Sequence, residues 1–213
     1  MRGGHNKLRY ALIGLAKYSF HYDLSKSFLF QWLLLPYFIV FNDSHNFPVP
    51  SESYKKFLNI EWLTKKVPLE PFNVNRPYGS YRKNERMTQK DIDSNEFILS
   101  YEKKYHPKTR DENIKILDDY LTLCEENNIR PVMFTVPLTE KHMGVFNKQR
   151  LEEFHVLIEQ ALNKHPDARF FDGWKLQDFS YADFYDHGHM NIYGAAKFST
   201  YLNEFIEQLD NGD

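Results

Sequence analysis

Residues 109–137 read TRDENIKILDDYLTLCEENNIRPVMFTVP, and the hydrophobic period changes part-way through them. In the first part Ile114, Leu117, Leu121 and Cys124 recur at three- and four-residue steps, which is one apolar face of a helix. Thr109-Arg110-Asp111-Glu112 opens that helix as a capping box: the threonine oxygen accepts one orphan N–H and the glutamate reaches back to another. Asn127-Asn128 closes it. In the second part Val132-Met133-Phe134-Thr135-Val136 is a short, continuous apolar run stopped by Pro137, the pattern of a strand buried on both faces. A helix feeding such a strand is the repeating unit of an α/β fold.

The same unit recurs on either side. Upstream, Arg9 to Leu15 reads as a fully buried strand. Downstream, Leu151, Phe154, Leu157, Ile158, Ala161 and Leu162 form the apolar face of a helix that ends before Pro166. Ala168 to Asp172 is a third short strand, and Ala195, Phe198, Leu202, Phe205, Ile206 and Leu209 mark a last helix. Alternating strands and helices predict right-handed crossovers and a mainly parallel sheet. Sites in such sheets lie beyond the carboxyl ends of the strands. The loop after the third strand, which carries Asp186 to Asn191, is therefore well placed for chemistry.

The remaining sequence is less regular. Tyr22 to Phe41 has a helical pattern, with Asp23 or Ser25 as N-cap and Pro36 interrupting it. Its apolar core, Phe28 to Phe41, falls short of the roughly 20 residues that span a bilayer, so a buried helix and its exit are expected and no integral membrane span. Residues 47–107 read as an irregular insertion with one short helix from Ser51 to Lys66, and the whole of 1–213 as a single domain. No apolar stretch follows Met1-Arg2-Gly3-Gly4, so no secretory signal is expected. As it stands the chain reads as cytoplasmic, and as membrane-associated or extracytoplasmic if an N-terminal segment precedes it.

A net charge of −2 and the lack of a basic stripe argue against nucleic acid as a partner. The single cysteine, Cys124, rules out a disulfide framework within the chain.

The segment Asp186-His187-Gly188-His189-Met190-Asn191-Ile192-Tyr193-Gly194-Ala195 concentrates the chemistry. A histidine acting as general base needs a carboxylate to fix its tautomer and stabilise the imidazolium that forms. Asp186 and His189, three residues apart, suit those roles. Asn191 is a natural N-cap for the last helix, and Gly194 lets the start of that helix pack closely beneath the loop. His142, His155 and His165 lie on or beside helices, where surface exposure is expected. No other histidine is expected to have a placed carboxylate partner.

The string Asp-x-x-His-x-Asn-x-x-Gly-Ala, running into a terminal amphipathic helix, resembles the last block of the SGNH (GDSL-like) hydrolase superfamily. Thr109 to Asn113, Asn128 to Pro131, Phe134 to Pro137, and Tyr10 to Ser27 (with Tyr18-Ser19-Phe20 and Tyr22-Asp23-Leu24-Ser25) look like a subgroup linked to bacterial cell-surface polysaccharides, which includes the D-alanyl-lipoteichoic acid biosynthesis proteins. The likeness covers most of the chain, and the C-terminal block is its most specific part. It implies a flavodoxin-like three-layer α/β/α sandwich. It also implies deacylation or acyl transfer through an acyl-enzyme, with His189 taking the proton of a serine and Asp186 orienting His189. The substrate would be an ester-acylated glycan or polymer, in association with a membrane-bound polysaccharide assembly system. No metal or organic cofactor is implied.

The family's nucleophile lies in a Gly-Asp-Ser turn, and this sequence contains no Gly-Asp-Ser. The nearest string is Phe41-Asn42-Asp43-Ser44-His45, which makes Ser44 the candidate nucleophile and Asn42 the candidate oxyanion donor. Asn42 stands where the turn needs glycine, and Pro36 interrupts the approach. The simplest expectation is that the chain starts downstream of the nucleophile block and lacks one or more front strands. Two rival readings stand beside this one. His187 and His189, with Asp183 and Asp186, could hold zinc or iron. The aromatic-rich insertion (Tyr54, Phe57, Trp62, Phe72, Tyr78, Tyr81) could make the protein a non-catalytic carbohydrate- or protein-binding module.

Overall fold

The structure, a computed structural model, describes residues 8–23, 84–95 and 105–212. The chain divides into two compact units, Met1–Tyr22 with Arg82–Asp213, and Asp23–Tyr81. All that follows concerns the first unit. Residues 24–41 of the helix read over 22–41, the helix read over 51–66, and with them Asn42 and Ser44, lie outside the described residues.

Three parallel strands form the sheet, in the order β1 (Tyr10–Leu15), β2 (Arg130–Thr135), β3 (Arg169–Asp172). Their register aligns Leu15, Thr135 and Asp172 at the carboxyl edge. Around them run α1 (Gln89–Asp93), α2 (Arg110–Glu126), α3 (Glu140–Gly144), α4 (Lys148–Lys164) and α5 (Ile192–Asn211). Between β3 and α5 stands a two-stranded antiparallel hairpin, β4 (Phe184–Asp186) and β5 (His189–Met190).

Alternation along β2 builds the core. Val132 and Met133, both fully buried, point to opposite faces. Met133 packs with Leu121 of α2 and with Phe154, Leu157 and Ile158 of α4. Val132 packs with Phe198 and Leu202 of α5, where Phe171 and Phe205 add a ring contact at 5.2 Å. The sheet thus has helices on both faces, and the mixed α/β class read from the sequence holds. The first strand departs from expectation: Leu12 is 51% exposed, because the α5 cluster centres on Val132, Phe134 and Phe171 of the neighbouring strands.

The start of α2 also departs from expectation. A 3₁₀ turn, Pro107–Thr109, leads straight into the helix, so Thr109 already has helical backbone angles and makes no side-chain cap. Its hydroxyl instead donates to the His106 carbonyl at 2.7 Å. The end of α2 falls where the asparagines predict. Asn128 takes the left-handed conformation (φ 54°), and Ile129 N–H returns to the Cys124 carbonyl. Along α2, Asn113 donates its amide to the carbonyls of Ser19, Phe20 and Tyr22 at 3.0–3.2 Å. That clamp fixes the segment leaving β1 at the carboxyl edge of the sheet.

Candidate active site

The segment read as a loop is a hairpin, and the hairpin is what brings the candidate acid and base together. Asp186 and His189 are register partners across β4 and β5, joined by the two-residue connection His187-Gly188. Residues directly opposite in an antiparallel pair have neighbouring Cβ atoms. Both Asp186 oxygens reach His189 Nδ1, at 2.9 and 3.0 Å. A carboxylate only accepts, so Nδ1 carries the hydrogen and the neutral ring holds its lone pair on Nε2. The Tyr185 ring stacks against the imidazole at 5.5 Å and 16°. Gly188 N–H donates to Asp186 Oδ1 at 2.8 Å. Partial burial by itself would raise the Asp186 pKa, but the bonds from His189 and Gly188 outweigh it and hold the carboxyl below its usual range.

Asn191 secures the hairpin to the last helix. Its side-chain oxygen accepts from Tyr193 N–H and Gly194 N–H at 3.0 and 3.1 Å, while its amide donates to the Ala182 and Phe184 carbonyls. Gly194 sits where nothing larger fits: a Cβ there would lie 2.1 Å from the Asp183 carbonyl oxygen. Asp183 in turn accepts from Asn191 N–H at 3.0 Å. The turn, the cap and the helix therefore form one continuous backbone path.

His187 has a different situation from His189. It is 5% exposed. Its Nδ1 lies 2.9 Å from the Thr139 hydroxyl and its Nε2 2.9 Å from the Asp91 carbonyl. Both ring nitrogens are thus engaged inside the protein, whereas the His189 side chain is 68% exposed. Among the described residues, no group of three His, Cys, Asp or Glu side chains is arranged to hold a metal ion.

The other histidines correct the expectation of surface exposure and of missing carboxylate partners. His142 and His165 are buried. His165 lies between Glu125 and Asp118, at 2.9 and 3.0 Å. His155 spans the Leu151 carbonyl and Asp172, at 2.9 and 3.1 Å. Cys124 is also buried, and burial pushes its thiol pKa up, away from nucleophilic character.

Sequence reading missed the groups beneath the hairpin. His142 Nδ1 donates to the His187 carbonyl at 2.8 Å, and Met87 N–H donates to the Phe184 carbonyl at 3.1 Å. Lys141 donates to the carbonyls of Ile92 and Ser94. One signal was available: Thr88-Gln89-Lys90-Asp91 is a capping-box string, and both reciprocal bonds are made at the start of α1. The chain matches no known protein-family description, no curated protein and no solved structure. Among the described residues no helix is long and apolar enough to cross a membrane.

Proposed function

We propose that this chain is an SGNH-type serine esterase or O-acyltransferase, or the C-terminal portion of one, built on a flavodoxin-like α/β/α sandwich. Its substrate class is an ester-acylated glycan or polymer of a bacterial surface, handled in association with a membrane-bound polysaccharide assembly system. The observation that carries the reading is the Asp186–His189 pair, closed at 2.9 Å across a tight hairpin at the start of the last helix. In this mechanism His189 Nε2 takes the proton of a serine hydroxyl as it attacks the ester carbonyl, and Asp186 stabilises the imidazolium. His189 then returns the proton to the leaving alcohol, and water or an acceptor hydroxyl resolves the acyl-enzyme. Ser44 is the candidate nucleophile within the sequence, and Asn42 the candidate oxyanion donor.

Labelling with a fluorophosphonate probe, followed by peptide mapping, tests for the serine, and aryl acetate hydrolysis tests turnover. The His189→Ala variant is expected to abolish hydrolysis. Undiminished turnover in that variant overturns the assignment.

A cluster of basic and aromatic side chains beyond β1 favours a second reading, a non-catalytic carbohydrate- or protein-binding module. Lys17, Tyr18, Tyr105, Phe146 and Arg150 make up the cluster, around a cavity of about 50 Å³ that is too small to hold a sugar as it stands. The Lys17 ammonium lies 3.3 Å from the Phe146 ring centroid, and the Arg150 guanidinium 3.7 Å from that of Tyr105. Glycan binding without aryl acetate turnover would select this reading.

A further inference from the structure

Asp186 and His189 have side chains 47% and 68% exposed. A hydrogen-bonded pair so open to water contributes little to holding its own geometry. The constraint has to come from the connection between the two residues, which is His187-Gly188. We propose that His187 is a positioning residue: its buried imidazole, held between the Thr139 hydroxyl and the Asp91 carbonyl, fixes the turn that keeps Asp186 opposite His189.

The bond directions form one consistent set. The Asp91 carbonyl can only accept, so His187 carries its hydrogen on Nε2 and its Nδ1 accepts the Thr139 hydroxyl proton. The Thr139 oxygen in turn accepts His142 N–H at 3.3 Å, and His142 Nδ1–H donates to the His187 carbonyl at 2.8 Å. The side chain and the carbonyl of a single turn residue are thereby tied to α1, to the segment after β2, and to α3. Thr139, His142 and His187 are all buried, and in that setting directional bonds are strengthened and their loss is costly. With the turn held, Gly188 N–H points at Asp186 Oδ1, and the carboxylate presents both oxygens to His189 Nδ1. A freed turn lets the carboxylate swing away from the ring.

The inference rests on the acid–base reading of Asp186 and His189, but the hold on the pair can be measured without turnover. The experiment is an NMR titration of the His189 ring in the full chain and in its His187→Ala, His187→Gln and Asp186→Asn variants, beside aryl acetate kinetics. His187→Ala should move the His189 titration midpoint more than half-way toward that of Asp186→Asn. His187→Gln, which keeps a side-chain N–H for the Asp91 carbonyl, should stay nearer the parent. In the kinetics kcat should fall about tenfold in His187→Ala with KM little changed, the sign of a misplaced catalytic group. A His189 titration in His187→Ala that superimposes on the parent overturns the proposal. If the titration moves as expected but no variant, nor the parent, turns over ester, the positioning role stands and the esterase reading falls. Should His187→Ala fail to fold, Thr139→Val removes the hydroxyl that holds His187 Nδ1 and accepts His142 N–H while leaving the bond to the Asp91 carbonyl. A smaller shift in the same direction is then expected, and an unmoved midpoint overturns the proposal.

Discussion

His189 on the hairpin and His155 on α4 each face an aspartate, Asp186 across the hairpin and Asp172 at the end of β3, and their chemistry differs. His155 has Nδ1 2.9 Å from the Leu151 carbonyl and Nε2 3.1 Å from Asp172, so both nitrogens face groups of the fold. His165, between two carboxylates, is spent in the same way. In His189 the two oxygens of Asp186 converge on Nδ1, which directs the lone pair to Nε2. A carboxylate beside a histidine is therefore a poor guide to a catalytic base. The better guide is which nitrogen the carboxylate takes and what the other is given to do.

That contrast is tested hardest at the two aspartates. Asp186→Asn should lower kcat for aryl acetate by about 10³- to 10⁴-fold, since an amide favours the wrong tautomer of the ring. Asp172→Asn should leave kcat within about twofold, because its partner takes no part in the proton transfer. Equal losses in the two variants would show that the contrast has no functional content.

A second test separates the hairpin's exposed histidine from the buried one beneath it. Burial lowers the His142 pKa from 6.5 to about 4, against the raising influence of its bond to the His187 carbonyl. Between those values the unfolded chain binds a proton that the folded chain refuses. The His142 contribution to stability is thus fully present above pH 6.5 and lost as the pH falls toward 4, an effect of about 3 kcal/mol. Urea unfolding at pH 7 and pH 4 should show this loss, and His142→Gln should shrink the difference by a similar amount. An unchanged pH dependence in that variant would mean that His142 is already protonated in the fold.

Much of the body was legible because its signals are local and repeated. Leu121 and Cys124, or Phe154, Leu157 and Ile158, face the core at the spacing a helix imposes, and Val132-Met133 could be nothing but a two-sided strand. The hairpin gave no such signal, since β5 holds only two residues and a period of two cannot show in so short a run. Asp186 and His189 could be paired on the page by spacing alone. Whether they touched depended on a turn held by Thr139, His142 and Asp91, between 45 and 96 residues away. Thr109 shows the opposite failure. Its string satisfies the capping-box rule, yet Pro107 starts a 3₁₀ turn early enough to bring the threonine into the helix.

The smallest effects fall on the histidines that serve only the fold. His165→Ala removes a buried ring bonded to two carboxylates and should lower the melting temperature by about 5 °C, with ester turnover unchanged. His155→Ala should cost less, about 3 °C, because Asp172 keeps the Thr135 hydroxyl at 3.0 Å and Trp174 N–H at 3.3 Å. This weakest variant is also the one that could reverse the comparison. Asp172 stands at the end of β3, level with Thr135, where parallel sheets commonly place their chemistry. If His155→Ala lost as much kcat as Asp186→Asn while melting normally, His155 and Asp172 would be the working pair. The bond to Leu151 would then have to open during the reaction. Retained kcat with a small loss of melting temperature leaves the hairpin as the acid–base site.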